Sequence, residues 1–146
     1  ELDHQMVNEL YALRFVIEPA AVAMAAKNAT DAEIDVLREM LEFERSVLND
    51  PIERERHNRR FHNALYRTAH NRYVISTLRA LQTPMILLGP ATATNPKRLQ
   101  DAYAEHAELV ECIAAHDADG ARAAMVRHLT GGQRARVSYL LNRQPD

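Results

Sequence analysis

The stretch Leu99-Gln-Asp-Ala-Tyr-Ala-Glu-His-Ala-Glu-Leu-Val-Glu-Cys-Ile113 decides the fold. Its apolar members Leu99, Ala102, Tyr103, Leu109, Val110 and Ile113 recur three and four residues apart, the period of a helix with one buried face. A strand would alternate at every second residue, and no alternating run of useful length occurs elsewhere in the chain. His106 stands in the middle of the stripe, so it must point where its apolar neighbours point. Two other histidines share that placement. His128 follows Ala121, Ala124 and Met125, and His62 shares a face with Phe61, Leu65 and Ala69, with Asn58 one turn earlier. His4, His57, His70 and His116 fall at expected helix ends or stripe edges.

Outward from this stretch, the spacing predicts an all-α antiparallel bundle of about six helices. The first covers about Met6 to Lys27, with Leu10, Leu13, Ile17, Ala20, Ala21 and Met24 as its inner face. A second opens on the capping box Thr30-Asp31-Ala32-Glu33 and ends near Asn49-Asp50-Pro51. The third spans about Ile52 to Ala69. The fourth runs from Asn71 to the Gly89-Pro90 break, with Pro84 expected to kink its last turn. After a loop from Gly89 to Asn95, Asn95-Pro96 starts the fifth. Asp117 caps the sixth, which continues toward Leu141 although Gly131-Gly132 should weaken it.

At 146 residues the chain is the size of one domain with one core, residues 1–146. Four Gly, six Pro, no Trp and 26% charged residues are a balance typical of a soluble helical protein. The formal net charge of −2, with both signs interspersed, offers no basic footprint for phosphates, so this segment itself is not expected to bind nucleic acid. The single Cys112 cannot form an internal disulfide and fits a reducing compartment, and no segment reads as a membrane span or signal peptide. The chain begins Glu-Leu-Asp-His without an initiator Met, which suggests a fragment whose amino-terminal part lies elsewhere. A cytoplasmic protein is the expectation.

Burying three imidazoles separately would cost about 1 to 3 kcal/mol each without partners. Convergence on one divalent metal ion is the cheaper arrangement, since neutral imidazole is a good ligand for such ions; Zn, Ni, Mn or Fe are the candidates. Asn58, four residues before His62, offers a neutral carbonyl oxygen to the same ion. Three nitrogens and at most one weak oxygen leave coordination positions open to water or an anion. Arg14 interrupts the apolar face of the first helix, where its fork could clamp a carboxylate or simply pair with Glu18 one turn on. Gln82 and Tyr103 are further candidates for polar groups of an effector pocket.

The residues Glu9-Leu-Tyr-Ala-Leu-Arg14 with Glu18, Asn58-Arg-Arg-Phe-His62, Ala69-His-Asn71, Glu105-His106, and Asp117 through Ala121 and Met125 to His128 resemble a known family. It is the effector-binding FCD domain at the carboxy terminus of FadR-type regulators in the GntR family of bacterial transcription factors. Six helices resemble its VanR-like branch. The resemblance implies Asn58, His62, His106 and His128 as metal ligands, with Asn58 standing where aspartate is commoner. It also implies a homodimer, a small carboxylate effector, and an amino-terminal winged helix-turn-helix domain, absent from this chain, that contacts the operator.

The alternative is a metal-dependent hydrolase or hydratase, because an open three-histidine ion can activate water. Against it, Glu105 and Glu108 flank His106 but are expected to point elsewhere on the helix, leaving no general base on the inner stripes. A carboxylate-bridged di-iron bundle needs Glu-x-x-His on two helices, and only Glu1-Leu-Asp-His4 fits. A purely structural bundle with a satisfied polar core is the remaining possibility.

Overall fold

The computed structural model describes residues 4–88 and 95–142. The Gly89-Pro90 break, nearly all of the expected loop, and the first three residues of Glu1-Leu-Asp-His4 lie outside the described residues. Helices α1 (His4–Asn28), α2 (Asp31–Val47), α3 (Pro51–Arg67), α4 (Arg72–Ala80), α5 (Gln82–Leu87), α6 (Pro96–Ala114) and α7 (Ala118–Leu141) make up the chain, with no strand among the described residues.

Side-chain caps set most boundaries. Thr30 Oγ1 accepts from the Glu33 amide at 3.3 Å while Glu33 Oε2 accepts from the Thr30 amide at 2.9 Å, which completes the expected box. Asp50, Asn71, Asn95 and Asp117 cap α3, α4, α6 and α7. At the carboxy ends of α3 and α6, His70 (φ 52°) and His116 (φ 55°) take the left-handed conformation that turns the chain out of a helix.

The fourth expected helix is two. It breaks at Leu81, earlier than the kink expected in its last turn, and Pro84 gives the reason: a proline ring has no N–H for the Ala80 carbonyl and crowds it. Conversely, α7 runs unbroken through Gly131 and Gly132.

Short connections make α2 and α3, and likewise α6 and α7, antiparallel neighbours, while α2 packs on α3 and α6 and α1 packs on α7, α6 and α3. Gln133 reaching Asn8, and His116 reaching the Ala26 carbonyl, set α1 antiparallel to α7 along its length. The core between them holds Val7, Tyr11, Val22, Phe61, Leu65, Leu109, Ile113, Met125 and Leu129.

The inner face of α1 differs from the expected one. Val7, Tyr11, Arg14, Glu18, Ala21 and Ala25 are buried, whereas Leu13 is 43% exposed and Val16 71%. Both faces of this helix are apolar: of the expected face, Ala21 is buried and Leu10 and Ile17 are half-buried against the core, while Leu13 turns outward. No helix among the described residues is long and apolar enough to cross a membrane.

Candidate metal and effector site

Helices α3, α6 and α7 each deliver one imidazole to the same point. One ring nitrogen from each of His62, His106 and His128 lies within 4.8 Å of the others, and the ring centroids are 4.7 to 5.4 Å apart. The second nitrogen of each ring is held from behind. His62 Nδ1 donates to the Asn58 carbonyl at 2.9 Å, His106 Nδ1 to both Glu44 oxygens at 3.0 Å, and His128 Nδ1 to Glu105 Oε1 at 2.7 Å. A carbonyl or carboxylate oxygen only accepts, so each Nδ1 carries a proton, and in the neutral ring Nε2 carries a lone pair.

These lone pairs meet one another. His62 Nε2 and His128 Nε2 are 3.3 Å apart, and His106 Nε2 is buried with no hydrogen-bond partner among the described residues. Two acceptors face to face repel unless a cation lies between them. Nitrogens each about 2.0 to 2.1 Å from one tetrahedral ion stand roughly 3.3 Å apart. The donor set therefore fits a divalent metal, with outer oxygens fixing tautomer and ring orientation as they do around known metal-bound histidines. Burial, then the neighbouring His106, pushes the His62 pKa down to about 4, and the same causes lower that of His128, so both rings stay neutral near pH 7.

A cavity of about 130 Å³ opens beside the cluster. By the same measure one water needs about 10 to 15 Å³, so a small organic molecule has room. His62 and His128 form part of its wall, as do Asn58, Arg14 and Gln82, while His106 lies behind them, 2% exposed. Tyr103 does not join them: it packs against the core and is not in the cavity wall, because it lies about 100° round the helix from Ala102, which is. Gln82 donates to Asn63 Oδ1 at 2.5 Å.

Arg14 takes the second of its expected alternatives, the pair with Glu18, from a place on the cavity wall. Its Nε donates to Glu18 Oε2 at 2.5 Å, and the same side chain lines the cavity. Burial works against its charge, but Glu18 and the Tyr11 and Tyr66 oxygens outweigh this and hold the guanidinium protonated. Tyr66 donates its hydroxyl to the same carboxylate, and its own pKa is raised by burial and by Glu18.

Several site residues escaped the sequence reading. Glu44 and Glu105 were not expected near the rings, yet both hold them; Glu105 turns toward His128 of α7 instead of following His106. The signal for Glu44 was present, since it continues the buried series Ile34, Leu37, Leu41. Arg98 shares the stripe of Ala102, His106 and Leu109, and Arg136 that of His128 and Gly132; both line the cavity. Arg136 Nε donates to the Tyr11 hydroxyl at 3.1 Å. His57, expected at a stripe edge, is 5% exposed and packs on Phe43 with ring centroids 5.1 Å apart.

The family model of the FCD domain matches residues 9–131. An Escherichia coli K12 protein named as an L-lactate dehydrogenase operon regulatory protein is 30% identical over 121 residues, and the HTH-type transcriptional repressor NanR of Citrobacter rodentium is 31% identical over 119. Each alignment covers 80% of this chain and 46% of the relative, so the chain spans about half the length of the curated relatives it matches. Among solved structures, Escherichia coli McbR/YncC superposes with a TM-score of 0.81 at 23% identity, covering 98% of this chain and 68% of that one. The metal-free FCD domain of TM0439, named as a transcriptional regulator, gives 0.77 at 19%, covering 97% and 99%. At these identities the structural matches speak for the fold alone.

Proposed function

The chain belongs to the FCD family of ligand-sensing domains in GntR-type transcriptional regulators, and on that premise we propose that it senses a small organic acid at a divalent ion held by His62, His106 and His128. The observation that carries the reading is the meeting of three Nε2 lone pairs whose Nδ1 protons are all committed elsewhere. Asn58, which also lines the cavity, is the fourth candidate ligand. A bound divalent cation would supply a Lewis-acidic centre with positions left for carboxylate oxygens.

The chain's own groups do the rest. Arg14, steadied by Glu18, presents a fixed positive charge to an acid in the cavity, and Gln82 supplies a polar edge. Because the wall is drawn from α1, α3, α4, α5, α6 and α7, an acid that fits it favours the arrangement in which these helices close around it. In the whole regulator that preference would pass through a homodimer to amino-terminal winged helix-turn-helix domains on operator DNA, in the cytoplasm. A coupling of about 1 to 3 kcal/mol changes operator affinity roughly 5- to 150-fold. The dimer contact is assigned to the outer face of α1, where Met6, Leu13 and Val16 are exposed beside the half-buried Leu10, Ile17 and Met24.

Metal analysis of protein purified without a histidine tag tests the reading. Near one divalent ion per chain is expected, and none in a His62→Ala, His128→Ala double variant. A metal-free wild type that takes up no added zinc or nickel would leave only a polar-cored bundle.

A further inference from the structure

Arg98 enters the cavity wall from the first turn of α6, and the backbone of α7 makes way for it: a Cβ on Gly131 would lie 2.5 Å from its Nη1. Nη1 and Nη2 donate to the two Glu105 oxygens at 2.8 Å each, and Nη2 also reaches the His128 carbonyl at 3.4 Å. One edge of the planar fork is thereby taken. Nε, in contrast, is buried without an acceptor among the described residues, on a side chain that is only 8% exposed as a residue and faces the cavity. A buried cationic donor without an acceptor has given up its water for nothing, a cost that a ligand oxygen removes. The charges in the wall point the same way. With Glu105 counted as the partner of Arg98, Arg14, Arg59, Arg98 and Arg136 stand against Glu18, Glu55 and Glu105, an excess of one positive charge from four less three.

We infer that Arg98 is the specificity-determining residue of the cavity and that the ligand is a short dicarboxylic acid, with one carboxylate at the histidine cluster and the other on the Nε edge of Arg98. The inference rests on the acid-sensing reading above and narrows it. Glu105 accepts from both Arg98 and His128, so the ligand's second anchor and one metal ligand share a single carboxylate. Diacid and metal must then raise or lower each other's affinity by the same factor.

Calorimetric titration of the zinc-loaded chain with malonate, succinate and acetate tests this. At least one diacid is expected to bind about tenfold or more tighter than acetate, the scale of one hydrogen bond to a charged group. Gly131→Ala and Arg98→Lys, each titrated in its zinc-loaded form, should bring the diacids and acetate close to equality while helical circular dichroism stays unchanged. The glycine variant protects the test from misfolding, because its new methyl meets the flexible end of Arg98 and alanine suits a helix better than glycine. Acetate binding the wild type as tightly as both diacids would overturn the inference and leave acid sensing intact. A diacid preference that survives both substitutions would also overturn it, by giving the second carboxylate to another group. Binding of none of the three acids to a zinc-loaded chain would overturn the inference and the acid-sensing reading together.

Discussion

A histidine in this site is held in place by its proton. With Nδ1 donating to Asn58 O, Glu44 or Glu105, each ring can present only its Nε2 lone pair, and each acceptor comes with a definite energetic consequence. Replacing Glu44 by Gln keeps the shape but weakens the acceptor behind His106, and should lower zinc affinity about 10- to 100-fold in competition with a chromophoric chelator. Acid sensitivity follows from the same residues. An imidazole at about 4 in the folded chain binds its proton more weakly than it does unfolded, where the value is about 6.5. The metal-free chain therefore holds this contribution to stability in full above about pH 6.5 and loses it as pH falls toward 4, with His128 acting in the same direction. Urea midpoints measured across that interval in the presence of a chelator should fall steadily, and should fall much less in the His62→Ala, His128→Ala variant. The three rings were legible in the sequence because a polar residue inside a period of three and four has only one way to point. Glu105 was not, because its destination is α7, and no spacing within α6 reveals which neighbour lies on that side.

Among the elements, caps were the most legible feature, since a cap is a contact between residues two or three apart. Asn71 Oδ1 accepts from the Tyr73 and Val74 amides at 3.1 Å each, and α4 has only nine residues to share that gain. Asn71→Ala is expected to cost about 1 kcal/mol, seen as a lower urea midpoint with an unchanged slope. Helix rotation was much less legible. Both sides of α1 are apolar, and the side that faces inward contains Arg14 and Glu18, which would count against burial for any helix judged alone. Their ion pair, with the Tyr66 hydroxyl on the same carboxylate, makes burial tolerable, and Tyr66 comes from α3. Gly131 and Gly132 of α7 were read as weak points; they are where Arg98 and Tyr11 come close to its backbone, with a Cβ on Gly132 only 3.1 Å from the Tyr11 hydroxyl.

For the molecule as a whole, α1 carries more exposed large apolar side chains than any other helix among the described residues: Met6, Leu13 and Val16. Its residues Met6, Leu10, Leu13, Ile17, Ala20 and Met24 step by four and three, the spacing of a seam between two helices. Leu13→Lys with Val16→Lys touches nothing in the core or the cavity, so the double variant should sediment as a monomer with native circular dichroism and unaltered zinc content. A variant that stays dimeric would place the contact on another surface.

The split at Leu81 decides how anything reaches the interior. α5 buries none of its six residues, yet supplies Gln82, Met85 and Ile86 to the cavity, and the side-chain ties seen on it are Gln82 to Asn63 and Arg136 to the Met85 carbonyl. Of the partitions around the chamber it is the cheapest to swing aside, since little packed surface is surrendered when it moves. It is a panel held at its ends by Leu81 and the buried Leu88 and latched by two hydrogen bonds, and loosening the Asn63 latch would hasten arrival and departure together while leaving the occupant's residence energy nearly as before.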